Sequence, residues 1–218
     1  MDITTELDQV LGPRDVVVVE GADAASYLHS QLSQVVTDMA VGEQRWSFVL
    51  EPTGKVDALL RVTRTDDDRF ELDTDAGFGD ALLARVDRFK IRVDATTSLH
   101  AAEGAATVDE PARIALGWPR MGAEIIPGET IPAGTGLTQL AVNFAKGCYP
   151  GQELVERMDS RAAEAPRSLR RLTVEAGTSP GDPVMDGSDE VGTITSVAGT
   201  AALGWVKRSS DVGEVVQF

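Results

Sequence analysis

The sequence predicts an α+β protein, in which a ferredoxin-like layer of strands and helices precedes a small antiparallel β-barrel. Between residues 15 and 94 the apolar pattern runs strand, helix, three strands, helix and strand, an order typical of a split α+β layer. From Ser168 onward, short strand-like runs alternate with turn residues at even spacing, which is typical of a small barrel. At 218 residues the chain can bury a sizeable core. We therefore predict a body over residues 1–161 and a barrel over residues 166–218, with a linker at Ala162–Arg167.

Each element has its own local signal. The β-branched run Asp15–Glu20 predicts a buried strand, and Asp23 is placed to cap the next helix. The other predicted elements of the body are helix Ala24–Val36, a hairpin of strands Arg45–Leu50 and Val56–Thr65, strand Phe70–Thr74, helix Asp80–Phe89, strand Lys90–Asp94, strand Arg113–Leu116 and helix Glu153–Arg161. The weakly patterned stretch Thr96–Pro111 is predicted to be a connection or a poor strand pair. The predicted barrel strands are Leu169–Glu175, Pro183–Met185, Val191–Val197, Ala201–Val206 and Glu214–Phe218.

The composition excludes several classes of function. A net charge of −15 opposes a nucleic-acid surface, which needs clustered Lys and Arg, and also an anionic membrane surface. The N-terminus lacks the basic and apolar regions of a signal peptide, and no run approaches the about 20 apolar residues of a spanning helix, so we expect a cytoplasmic protein. The single cysteine excludes an internal disulfide and an all-thiolate metal cage. Asp66-Asp67-Asp68 lacks the ligand spacing of a cation site, so no metal site is predicted.

The stretch Lys146–Glu153, with sequence KGCYPGQE, contains that single cysteine, Cys148. Its two glycines and one proline predict a tight turn that ends where the helix at Glu153 begins. Lys146 and the helix N-terminus place the thiol in a positive field that favours the thiolate. The alternative is that Cys148 is a small buried core residue, as free cysteines usually are. Its polar, glycine-rich neighbours favour a functional role.

The same stretch resembles the signature of the YgfZ family of folate-binding proteins, which are related to the glycine-cleavage T-protein (aminomethyltransferase). The family motif is Lys-Gly-Cys-Tyr-x-Gly-Gln-Glu followed by an arginine, which stands here as Lys146–Glu153 and Arg157. Further similar segments are Gln31-Leu32-Ser33, Pro52-Thr53-Gly54-Lys55-Val56, Arg113 to Glu124, and Val191-Gly192-Thr193-Ile194-Thr195-Ser196. The resemblance runs nearly from end to end.

This resemblance implies a T-protein-like architecture with a folate cavity and a C-terminal barrel. It implies a tetrahydrofolate ligand and a role in making or repairing iron–sulfur proteins, including radical enzymes that modify tRNA. Contact with RNA is then indirect, which suits the charge of −15. The implied partners are folate and iron–sulfur client proteins, with no membrane and no direct nucleic acid, and the protein is expected to be a monomer.

The resemblance also assigns roles to individual residues. Cys148 is the expected reactive thiol, and Lys146 is expected to help hold it as the thiolate. Glu124 is the expected carboxylate acceptor for pterin N–H groups. The other expected folate-binding residues are Trp46 and Trp118, by stacking, and Tyr149, Gln152 and Arg157 in or after the motif. For each tryptophan the alternative is core packing, and for Arg157 it is a surface ion pair with Glu153.

Two departures from the family bear on activity. The region between Val93 and Arg113 is short, which implies a shallower cavity. T-proteins carry a catalytic acid in this hairpin, at a position matched here by Ala58 or Leu59, while Asp57 is expected to face the other side of the strand. Without that acid, ordinary aminomethyl transfer lacks its proton-handling group. Three hypotheses follow: an iron–sulfur maturation factor, a one-carbon transferase in which Asp57 or Cys148 replaces the acid, and an interaction module without folate.

Overall fold

The computed structural model describes residues 7–8, 10–103, 108–160 and 165–218. The body contains a five-stranded antiparallel sheet in the order β2-β3-β4-β1-β5. Its strands are β1 Arg14–Glu20, β2 Gln44–Leu50, β3 Val56–Asp66, β4 Arg69–Asp75 and β5 Thr96–His100. The predicted hairpin is confirmed, because β2 pairs with β3 from Gln44 opposite Thr63 to Leu50 opposite Val56. Apolar side chains of this sheet, among them Phe48, Leu60 and Leu72, form the main core of the body.

The C-terminal part is a second five-stranded antiparallel sheet in the order β10-β6-β9-β8-β7. Its strands are β6 Arg167–Thr173, β7 Pro183–Asp186, β8 Asp189–Ala198, β9 Ala201–Lys207 and β10 Glu214–Val215. All five predicted strand regions are therefore confirmed, and closure of the sheet into a barrel stays a prediction. The predicted helix end at Arg161 and the linker residues 162–164 lie outside the described residues. The predicted division into two domains is not tested and stays a prediction.

The helices of the described ranges are α1 Ala24–Gln31, α2 Gly79–Arg88, α3 Glu110–Leu116, α4 Thr138–Ala141 and α5 Gln152–Ser160, with a 3₁₀ turn at Pro132–Gly134. None of them is long and apolar enough to cross a membrane. Helix α3 packs against the second sheet through a small buried cluster of Ile114, Leu169, Leu203 and Val216. This cluster holds α3 against the second sheet and thereby positions Arg113, which precedes Ile114.

Two predicted strands are wrong. Arg113–Leu116 is helical because Asp109 caps α3, accepting from the Ala112 N–H at 3.0 Å, and Gly117 ends it at φ 85°. No strand forms at Lys90–Asp94, and the fifth strand is instead Thr96–His100, which pairs with β1.

The first helix also differs from its prediction. It ends at Gln31 instead of Val36, because Leu32 is extended and bridges to Val49. The Asp23 side chain does not cap this helix but accepts from the Asp94 N–H at 2.8 Å.

Candidate functional site

The turn that carries Cys148 interlocks with the tip of the β2–β3 hairpin. Gly151 has a φ of 81°, and a Cβ added there would lie 2.5 Å from the carbonyl oxygen of Glu51. Gly54 at the hairpin tip has a φ of 85°, and its added Cβ would lie 2.4 Å from the Cβ of Leu154. Both positions therefore require glycine for backbone conformation and for space. The hairpin segment 52–56 and the motif 146–153, which both resemble the family and lie far apart in sequence, thus contact each other directly.

Lys146 anchors the other side of this turn beneath the end of α1. Its side chain is buried, and its Nζ donates to the carbonyl oxygens of His29 at 2.5 Å and Leu32 at 2.7 Å. The ammonium also lies 4.8 Å from the centre of the Tyr149 ring. Burial lowers the pKa of Lys146 from 10.5 to about 8, and the nearby Cys148 opposes this shift. Since the hydrogen bonds of Lys146 go to backbone carbonyls, its predicted action on the thiol stays a prediction.

Cys148 is exposed at the surface. Gly147 beside it is also exposed, and a Cβ added at Gly147 would meet nothing within 4 Å. The alternative that Cys148 is a buried core residue is therefore wrong. The thiol lies at the open tip of a turn whose flanks, at Lys146 and Gly151, are held by the body. A reagent or a protein partner can reach it without any rearrangement of the chain.

The remaining motif residues are bonded within the turn and α5. The Tyr149 N–H donates to Oε1 of Gln152 at 3.3 Å, and Nε2 of Gln152 donates to the Glu156 carboxylate. The Tyr149 ring is buried, and this burial, assisted by Glu156, raises the pKa of Tyr149 to about 12. Arg157 and Glu153 are both exposed, and no ion pair between them occurs in the described part of α5. The predicted folate contacts of these residues stay predictions.

Trp46 and Trp118 lie together inside the core of the body. Their ring centres are 4.5 Å apart, and Trp118 meets Phe218 edge to face at 5.3 Å. The guanidinium groups of Arg14 and Arg61 lie 5.7 and 5.9 Å from the Trp46 ring centre. Trp46 is 5% exposed and Trp118 is 2% exposed, which favours core packing over stacking on a ligand.

Glu124 is fully buried between the body and the second sheet. Its carboxylate accepts from Nη1 of Arg113 at 3.0 Å, from the Arg120 N–H at 3.0 Å, and from the hydroxyls of Thr195 at 2.8 Å and Ser196 at 2.5 Å. These four donors match the about four acceptor positions of a carboxylate. Through these four bonds Glu124 connects α3, the turn that follows α3, and β8. The predicted contact with a pterin would require some of these bonds to break.

A cavity of about 270 Å³, which we name the Asp57 cavity, lies between β3 and α2. Its walls are formed by Asp57, Ala58, Phe78, Ala81, Leu82, Ala84, Arg85, Arg88 and Pro127. Nε of Arg85 donates to the Asp57 carboxylate at 3.1 Å, and its two other nitrogens donate to the Gln31 amide oxygen at 3.2 Å and the Leu50 carbonyl at 3.0 Å. Burial raises the pKa of Asp57, and Arg85 opposes that shift.

The sequence did not identify Arg85 as a site residue, because its partners come from distant parts of the chain. The amphipathic pattern of α2 assigned it only to a helix. Cys148 does not line the Asp57 cavity. Within the described residues, no group of three or more His, Cys, Asp or Glu side chains is placed to hold a metal ion.

Comparison with known proteins identifies the fold. No protein-family model matches the chain. A protein of Haemophilus influenzae (strain ATCC 51907 / DSM 11121 / KW20 / Rd), described as uncharacterized, is 25% identical over 251 residues, covering 93% of this chain and 89% of that protein. The crystal structure of glycine cleavage system aminomethyltransferase T from Bartonella henselae aligns with a TM-score of 0.78 and 15% identity, covering 93% of this chain and 81% of that one. The chain is thus an α+β protein with the T-protein-like fold that the sequence predicted.

Proposed function

We propose that this protein binds tetrahydrofolate and assists the assembly, maturation or repair of iron–sulfur proteins through the thiol of Cys148. The observation that carries the proposal is the exposed cysteine on a turn anchored at both ends, within a T-protein-like fold. The resemblance of the surrounding motif to the YgfZ signature supports both the ligand and the role. The expected clients are iron–sulfur proteins in the cytoplasm. Any effect on tRNA modification passes through those clients, and the protein acts as a monomer.

The Asp57 cavity is the proposed site for the pterin ring. Asp57 supplies a half-buried carboxylate for ring N–H groups, Phe78 supplies an aromatic wall, and Arg88 supplies a cation for the folate carboxylates. At about 270 Å³ the cavity lies just below the about 300 to 1,000 Å³ of typical ligand sites. It therefore suits the ring alone, with the rest of the ligand over the surface, in keeping with the short region between Val93 and Arg113.

Calorimetric titration with tetrahydrofolate tests the ligand. We expect binding by the wild-type protein and a loss of about 10- to 100-fold in affinity for Asp57→Asn, since a bond to a charged acceptor is replaced. The Glu124→Gln variant tests the sequence-based expectation that Glu124 binds the pterin. A loss of tetrahydrofolate affinity in this variant and not in Asp57→Asn would place the pterin at Glu124. No binding at millimolar tetrahydrofolate would favour the interaction module.

A client-enzyme assay tests the thiol. Cells lacking the protein are complemented with the wild type, with Cys148→Ser, or with Gly147→Ala as a neighbouring control. We expect the serine variant to behave like the deletion and the alanine variant to restore activity. Full rescue by Cys148→Ser, at an abundance equal to that of the wild type, would show that the thiol is dispensable.

A one-carbon transferase is the second candidate, and the position of Asp57 favours it. Asp57 lines a cavity large enough for a pterin ring, so its carboxyl group is placed to exchange a proton with a folate nitrogen bound there. A turnover assay with tetrahydrofolate and an aminomethyl or methyl donor separates the candidates. Turnover that survives Cys148→Ala and is lost in Asp57→Asn would select the transferase.

A further inference from the structure

A second cavity, which we name the Arg170 cleft, lies where α5 faces β6 and the C-terminal strand. Its volume is about 510 Å³, and it shares no lining residue with the Asp57 cavity. Apolar side chains form much of its wall, among them Phe144, Val155 and Met158. Among the described residues that line it, the ionisable side chains are Arg170 and Arg208, and none is acidic. In a chain with 35 acidic and 20 basic residues, this is an unusual local excess of positive charge.

Arg170 is buried, and no carboxylate in the part of the chain that the structure describes pairs with it. It is 5% exposed, and its Nε and Nη1 donate to the Ser168 hydroxyl at 3.2 Å and the Val212 carbonyl at 2.9 Å, which are both neutral acceptors. By contrast, four other buried or largely buried arginines do form ion pairs with carboxylates, namely Arg14, Arg61, Arg85 and Arg113. Arg208 already has an interaction of its own, so Arg170 alone carries the inference.

A buried charge without a counter-charge is costly, even when neutral acceptors satisfy part of its hydrogen bonding. Among the described residues no carboxylate supplies a counter-charge for Arg170, and an anion bound in the cleft would supply it. A single guanidinium group matches one carboxylate, which it can bind through two parallel hydrogen bonds. The apolar walls match a hydrocarbon body, and the volume lies within the about 300 to 1,000 Å³ of small-molecule sites.

We propose that the Arg170 cleft binds a small organic carboxylate, with its carboxylate on Arg170 and its apolar body against Phe144, Val155 and Met158. This site is separate from the folate site proposed above and does not depend on it. The free protein tolerates the unpaired guanidinium, and the ligand completes the pair.

Calorimetric titration of the full chain with octanoate tests the proposal, with octanamide as the uncharged counterpart. We expect octanoate to bind and octanamide to bind at least about 10-fold more weakly, because only the acid supplies the counter-charge. Arg170→Gln is expected to lower octanoate affinity about 10- to 100-fold. The control is Arg171→Gln, which removes the same charge from the next residue of β6, where the side chain is 33% exposed and paired with Glu214.

A second variant keeps the test valid if Arg170→Gln does not fold. Met158→Trp fills the cleft from α5 and leaves Arg170 intact, and it is also expected to weaken octanoate binding. The proposal is overturned if octanoate does not bind at millimolar concentration, if octanamide binds equally well, or if folded Arg170→Gln retains wild-type affinity. Tetrahydrofolate is expected not to displace octanoate, and displacement would overturn the claim of a separate site.

Discussion

Gly151→Ala tests the contact between the cysteine turn and the hairpin. Its φ of 81° lies in the left-handed region, which costs a residue with a Cβ about 1–2 kcal/mol. The new Cβ would also lie 2.5 Å from the Glu51 carbonyl oxygen, 2.9 Å from the Gly54 Cα and 2.9 Å from the Leu50 Cβ. Two of these neighbours are backbone atoms of the opposing turn, which cannot rotate away. Overpacking of this kind costs about 1–3 kcal/mol.

We therefore expect Gly151→Ala to lower the free energy of unfolding by about 2–5 kcal/mol, a large part of the about 5–15 kcal/mol of a typical domain. The measurement is urea denaturation followed by far-ultraviolet circular dichroism, with midpoint and slope fitted for each variant. Gly147→Ala is the matched control in the same motif, since its added Cβ meets nothing within 4 Å. We expect that variant to stay within about 0.5 kcal/mol of the wild type. Equal effects at the two glycines would refute the interlocking contact.

Three further predictions concern charged or reactive groups. Glu124→Ala is expected to cost about 3–5 kcal/mol in urea unfolding, because it removes a carboxylate from the buried Arg113; a loss below 1 kcal/mol would contradict the joining role. The pKa of Lys146 falls from 10.5 to about 8 on folding, so only the unfolded state keeps the proton between these values. The unfolding free energy of the wild type relative to Lys146→Met should therefore rise as pH increases from 8 to 10.5 and be constant below pH 8, where both states hold the proton; no change between pH 8 and 10.5 would contradict this. Cys148 should react fully with a thiol reagent in the native protein, and Cys148→Ser should change stability by less than about 0.5 kcal/mol.

The sequence predicted those elements whose signal is local. The alternation in Arg45–Leu50 and the turn residues before Val56–Thr65 located β2 and β3 to within a residue, because both strands bury apolar side chains of the body core. The short apolar run at Arg113–Leu116 fitted either a strand or a helix, and the start signals Asp109 and Pro111 decide for the helix. Edge strand β5 has little apolar signal of its own, since its residues alternate between exposed and half-buried. Its position is set by pairing with β1.

The same limit applies to the site. Polar and glycine-rich neighbours favoured a functional role for Cys148 over a buried core position, and the structure shows the residue exposed. The partners of Lys146 lie 117 and 114 residues away, and those of Arg85 lie 28 to 54 residues away. No local pattern encodes such contacts. The sequence likewise did not identify Arg170, because what distinguishes it is that no carboxylate of the described residues pairs with it in the fold.

Leu50 connects the proposed folate cavity to the cysteine turn. Its carbonyl oxygen accepts from Arg85 of the Asp57 cavity at 3.0 Å, and its Cβ lies where a side chain at Gly151 would have to fit. A ligand that pairs with Asp57 competes with Arg85 for the Asp57 carboxylate and so alters the hydrogen bond from Arg85 to Leu50. Because the contact at Gly151 is tight, a shift of the hairpin at Leu50 would also move the cysteine turn. If the two sites are coupled in this way, ligand at one must alter the other.

We therefore predict that saturating tetrahydrofolate changes the rate at which Cys148 is alkylated in the native protein. The rate is measured with iodoacetamide and mass spectrometry, with and without ligand. Arg85→Gln, which keeps an amide donor but removes the charge, should abolish the change while leaving the ligand-free rate intact. An unchanged rate at proven saturation would mean that cavity and thiol act independently, and the turn would then serve only to present Cys148 to its client at a fixed position.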